Sequence, residues 1–136
     1  MAKEHKYHRS HIEIDTALSQ DRALELVRQT LATRKGLVLD EQDGKRIVVV
    51  LKNAFGFPLL HFDVTATQFE NRTRLTTSLL DYKTSQMTYL YFIPVGPKTI
   101  EGYGEYRRFM NALQEVFAAA DPSARSAVIE RDTVTA

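Results

Sequence analysis

The sequence predicts an α+β domain: a curved, six-stranded antiparallel sheet that holds one long C-terminal helix, with a single further helix after the first strand. Three observations predict it. In Gly102 to Ala120, GYGEYRRFMNALQEVFAAA, the residues Tyr103, Tyr106, Phe109, Met110, Leu113, Val116 and Phe117 recur at the i, i+3, i+4, i+7 spacing that gathers them on one helical face. Between Leu37 and Ile93 the chain is a series of strand-like runs with short connections, which fit meander pairing and not βαβ crossovers. Only one other helical pattern occurs, and it falls between the first strand and that series.

Taken in order, the run Tyr7 to Asp15 ends in the alternation His11, Ile12, Glu13, Ile14, Asp15, apolar on even positions, as in a half-buried strand. Thr16 or Ser19 can cap the helix that follows, Asp21 sits in its positive first turn, and Ala23, Leu24, Val27 and Leu31 form its apolar stripe. Gly36 is placed to close that helix in a left-handed conformation. Leu37 to Gln42 and Lys45 to Lys52 flank Asp43-Gly44, a dipeptide suited to a type I′ hairpin turn. The continuous apolar run Ile47 to Leu51 implies cover on both faces of its strand.

The loop Asn53 to Pro58, NAFGFP, sets Phe55 and Phe57 around Gly56. Leu59 to Phe69 then alternates, with Leu60, Phe62, Val64 and Ala66 on one face and His61, Asp63, Thr65 and Thr67 on the other. Thr73 to Leu80 reads as a fifth strand, and Met87 to Ile93, MTYLYFI, as a sixth that ends at Pro94. Asp121-Pro122 stops the last helix, because proline disfavours αR in the residue before it. Residues 1–122 are expected to be one domain, and residues 123–136 a tail, either a short exposed helix or a loose end.

Composition narrows the function. The 136 residues fit a single core, and a formal net charge of +1 gives no general electrostatic attraction to nucleic acid or anionic membrane. Without cysteine there is no disulfide, thiolate metal site or cysteine nucleophile. No stretch approaches the roughly 18 apolar residues of a membrane span, and the N-terminus lacks the apolar core of an export signal, so a cytoplasmic protein is expected.

The element order, the turn Ile93-Pro94-Val95-Gly96-Pro97-Lys98 and the following Gly102-Tyr103-Gly104-Glu105-Tyr106-Arg107-Arg108-Phe109 resemble the START-like, helix-grip (SRPBCC) superfamily. The resemblance covers about Tyr7 to Ala120. It departs from the family's pattern in having one helix after the first strand and six strands, where that pattern has one or two short helices and seven strands. The resemblance implies an apolar cavity between sheet and helix for a lipid- or polyketide-like small molecule, with no cofactor. Its walls would be Tyr106, Phe109, Met110 and Leu113 of the helix and Phe62, Val64, Tyr89 and Tyr91 of the strands, with Phe55 and Phe57 at a mouth.

Other readings stand beside this one. The aromatic stripe is equally a plain core, and Phe55 and Phe57 equally a pair tucked under the sheet edge. A cyclase- or hydrolase-type enzyme on the same fold would use a buried tyrosine, or His61 oriented by Asp63, to move a proton. A filled-core interaction protein would pair through an exposed sheet edge as a homodimer. His5, His8 and His11 recur at three-residue spacing, but on a strand they alternate in direction, and no metal site is expected of them. Arg107, Arg108 and Lys98 form a local basic patch that reads as a solvated helix face. The chain contains no Gly-rich phosphate loop, GxSxG elbow or HExxH pair.

Overall fold

The computed structural model describes residues 9–82, 84–85, 88–89, 93–94, 99–100 and 102–130. In chain order the elements are β1 (His11–Thr16), α1 (Gln20–Ala32), β2 (Leu37–Gln42), β3 (Arg46–Lys52), β4 (Pro58–Phe69) and β5 (Arg72–Tyr82). The two-residue strands β6 (Thr84–Ser85), β7 (Thr88–Tyr89), β8 (Ile93–Pro94) and β9 (Thr99–Ile100) follow, then α2 (Tyr103–Ala120) and β10 (Arg125–Ile129). The architecture is α+β, as the patterning predicts. Six antiparallel strands form an open sheet in the order β10-β1-β5-β4-β3-β2, with one helix after β1 and one near the C-terminus.

The sixth strand is not the expected one. Within Met87 to Ile93 the described residues Thr88 and Tyr89 pair with Pro94 and Ile93 and not with the six-stranded sheet, and a second short ladder pairs Thr84–Ser85 with Thr99–Ile100. The place in the sheet goes to β10, from the stretch read as a tail. Its Val128 and Ser126 lie opposite Ile12 and Ile14 of β1. The side chains of β10 are only exposed or half-buried. A strand at the rim is held mainly by backbone pairing, so its low apolar content concealed it.

One face of the sheet carries the core, and both helices cover it. Helix α1 packs on β2, β4 and β5, while α2 packs on β1, β10 and α1. The buried face of α1, Ala23, Leu24, Leu26, Val27, Thr30 and Leu31, therefore covers part of the sheet beside α2. From the strands come Ile12, Ile14, Ile47, Val49, Leu51, Leu60, Phe62, Val64, Ala66, Leu75 and Leu79. Strand β3 is buried on both faces as its apolar run implies, since Val48 and Val50, outside the core cluster, are buried as well.

Local signals are mostly realised. Ser19 caps α1, accepting from the Arg22 amide at 3.2 Å. The helix ends at Thr33, three residues before the closure expected at Gly36, and Gly36, at φ 91°, turns the chain into β2. The β2–β3 hairpin forms, but Gly44 does not adopt a positive φ. Asp43 makes the turn with its side chain instead, Oδ1 accepting from the Lys45 and Arg46 amides at 2.8 Å each. These two amides hold its carboxyl below the usual range.

Candidate functional site

Phe62, Val64, Tyr106, Phe109, Met110 and Leu113 meet at one interface between α2 and the sheet, and each is fully buried. The Phe62 ring lies 4.9 Å from that of Tyr106 and 5.2 Å from that of Phe109, tilted against both. These are the separations at which aromatic pairs attract. Tyr91 and the Tyr89 side chain lie outside the described residues, as do His5 and His8.

The buried hydroxyl of Tyr106 finds its partners within the chain. It donates to the Ser10 carbonyl at 2.6 Å. A phenol has one proton, and a carbonyl only accepts, so the 2.8 Å contact with Thr77 must run from the Thr77 hydroxyl to the Tyr106 oxygen. Thr77 Oγ1 in turn accepts from the Ile12 amide at 3.1 Å. The result is one continuous relay from Ile12 through Thr77 and Tyr106 to Ser10, with every member satisfied. Burial keeps the Tyr106 proton in place well above the ordinary phenol range.

Tyr103, one turn earlier on α2, closes the rim. Its hydroxyl lies 2.9 Å from Ser10 Oγ and 3.0 Å from a Glu130 carboxylate oxygen. Ser10 Oγ donates to the Glu130 carbonyl, and Arg107 pairs with the Glu130 carboxylate while lying over the Tyr103 ring at 5.2 Å. Desolvation raises the Tyr103 pKa to about 12. Arg107, read as part of a solvated patch, is therefore engaged with the end of β10.

The β3–β4 loop presents its aromatics to solvent. Phe55 is 86% exposed and Phe57 64%, so neither is tucked under the sheet edge. The loop is nevertheless fastened. Asn53 Oδ1 accepts from the Phe55 amide at 2.9 Å and the Phe57 amide at 3.0 Å. The Asn53 amide donates to the Phe57 carbonyl, the Gly56 amide donates to the Asn53 carbonyl, and Gly56 takes φ 84°.

His61 and Asp63 face away from the helices, as the alternation requires, but they do not form a pair. The His61 Nδ1 lies 2.7 Å from Asp81 Oδ1 on the neighbouring strand, with Asp81 mostly exposed. Asp63 is buried and accepts from Arg46 Nε at 2.8 Å, while its other oxygen, Oδ1, has no hydrogen-bond partner. Among the described residues no three His, Asp or Glu side chains are arranged to hold a metal ion. No described helix is long and apolar enough to cross a membrane.

Ser10, Thr77, Asp81 and Glu130 were not among the sequence candidates, because each is defined by a partner at least 20 residues away. Asn53 was within reach: an asparagine opening a Gly-containing loop is a recognised side-chain turn signal. Neither a comparison with protein-family models nor one with curated proteins finds a match to this chain.

Proposed function

We propose that this domain is a protein-binding module whose contact surface is the loop Asn53 to Pro58, and that its helix–sheet interface is a filled core. The observation that carries the reading is the pairing of exposure with order. Two phenylalanines stand in water on a loop whose backbone is fixed by a single asparagine side chain. Exposed aromatics on a preorganised backbone lose little entropy on docking and bury a large area, which is how interface anchors work. The internal satisfaction of Tyr106 supports the second half, since its hydroxyl does not call for a ligand oxygen.

A photo-cross-linking phenylalanine analogue at position 57, introduced in producing cells, tests this. Phe69, also exposed but at the far end of β4, is the control position. A recurrent adduct at 57 that is absent at 69 and lost on Phe55→Ser supports the reading. Equal adducts at both positions, or none at 57, refute it.

The small-molecule reading has one observation in its favour. Phe62, Val64, Tyr106, Phe109, Met110 and Leu113 converge on the helix–sheet interface where the resemblance implies a cavity. A lipid- or polyketide-like ligand would enter only by parting these side chains. Titration of labelled protein with fatty acids, sterols and aromatic polyketide-like compounds checks it: saturable NMR shifts at Phe62, Tyr106 and Phe109 would favour this reading over the filled core.

A further inference from the structure

Among the described residues, strand β2 is the last strand at its side of the sheet, with β3 as its one neighbour. Its outward edge carries backbone groups with no strand partner among the described residues, and exposed apolar side chains, Val38 at 42% and Leu39 at 39%. Such an edge is normally blunted, because it templates pairing with another chain. Here blunting is partial: a bulge breaks the register between Leu39 and Glu41, leaving Leu37, Val38 and Leu39 as a regular stretch.

The hydrogen-bond phase of that stretch is fixed. The Lys52 amide donates to the Gly36 carbonyl, so Gly36 turns its backbone groups towards β3. By the alternation of an antiparallel ladder, Val38 does the same, and Leu37 and Leu39 turn theirs outward. The sequence around Val38 is also complementary to its own reversal. Reading Lys35-Gly36-Leu37-Val38-Leu39-Asp40-Glu41 against a reversed copy sets Val38 opposite Val38, Leu37 opposite Leu39 and Lys35 opposite Glu41. Apolar meets apolar, and basic meets acidic.

We infer that the free edge of β2 pairs with the same edge of a second copy, joining two six-stranded sheets across a two-fold axis at Val38. The phase agrees with this register. Val38 and its mate form the central non-hydrogen-bonded pair, and the outward groups of Leu37 and Leu39 exchange N–H···O bonds with Leu39 and Leu37 of the other copy. The axis makes the contact isologous, so it closes at two copies and does not grow into a fibre. The opposite edge does not offer the same match. Strand β10 has Arg125 at one end, but Glu130 just past the other is already held by Tyr103 and Arg107. With a formal charge of +1 per chain, repulsion between copies is slight.

The test uses the full chain, which has no cysteine of its own. In the central pair the two Cα atoms lie about 4.5 Å apart, within disulfide range. Val38→Cys is therefore expected to give a covalent dimer under mild oxidation, on the order of tenfold or more faster than Ala127→Cys on β10, because pairing raises the local thiol concentration. Sedimentation reads the register without a cross-link. Lys35→Glu or Glu41→Lys alone sets like charges opposite each other and shifts the protein towards monomer, and the double exchange restores the dimer. Circular dichroism checks that each variant is folded. Equal cross-linking at positions 38 and 127, a monomeric wild type at high concentration, or no rescue by the double exchange would each overturn the inference. The aromatic loop takes no part in this contact, so these outcomes are independent of the cross-linking at Phe57.

Discussion

The hydroxyl of Tyr106 donates to the backbone carbonyl of Ser10, 96 positions away in the chain, across 2.6 Å. Tyr103 reaches the side chain of the same serine. Ser10, immediately before β1, is thus the point where the first two turns of α2, the start of the first strand and the end of β10 are tied together. Tyr106→Phe removes the middle of the relay and leaves a buried carbonyl and a buried threonine hydroxyl without their partner. Leaving buried polar groups unpaired costs about 1–3 kcal/mol each. Urea denaturation should show a loss of about 2–6 kcal/mol, larger than for Tyr103→Phe at the rim, and a double-mutant cycle should show coupling between the two tyrosines through Ser10.

Alkaline titration reads the same site. Both tyrosines have raised pKa values in the fold, Tyr103 to about 12. In the unfolded chain they ionise near 10. Their contribution to stability is therefore complete below pH about 10 and is lost as pH rises from there through the folded values. Tyrosinate absorbance should show Tyr103 and Tyr106 ionising late, together with loss of structure.

The acid side depends on Asp121. The Ser123 and Thr16 hydroxyls and the Ala17 and Ser123 amides hold its carboxyl well below the usual range. A depressed pKa gives stability that is present above the unfolded value, about 4, and lost as pH falls through the folded one. Asp121→Asn should lower the melting temperature at neutral pH and flatten its fall below about pH 5, because the variant has no proton to take up at this site.

Two glycines at the start of α2, its N-cap Gly102 and Gly104 within it, should respond in opposite directions. Gly102, at φ 82°, would set a Cβ 2.3 Å from a Leu51 methyl carbon, so Gly102→Ala combines strain with a clash and should cost about 1–3 kcal/mol. Gly104, inside the helix, has open space where a Cβ would stand, and Gly104→Ala should stabilise by about 0.4–1 kcal/mol. Thermal melts of both variants test the contrast.

Phenylalanines separate binding from folding. Phe62→Ala should cost about 3–5 kcal/mol, since it opens a cavity between α2 and the sheet. Phe55→Ser and Phe57→Ser should stay within about 0.5 kcal/mol of the parent, because these rings are solvated while the loop is held by Asn53. Chemical denaturation of the three variants settles the comparison.

By itself the sequence determined the fold class, the boundaries of α2, a cap for α1 at Thr16 or Ser19, the two-sided burial of β3 and the inward set Leu60, Phe62, Val64 and Ala66. These are properties of local periodicity and capping, which adjacent residues specify. Tertiary structure alone decided that Arg125–Ile129 completes the sheet, that the described part of Met87 to Ile93 pairs outside it, and that α1 shares the cover of the core. It also decided which groups pair: Tyr106 with Ser10, His61 with Asp81, Asp63 with Arg46. The reason is physical. Periodicity tells a residue which side to face, but a strand's neighbour and a side chain's partner are set by whichever distant backbone or polar group the packed core brings within about 3 Å.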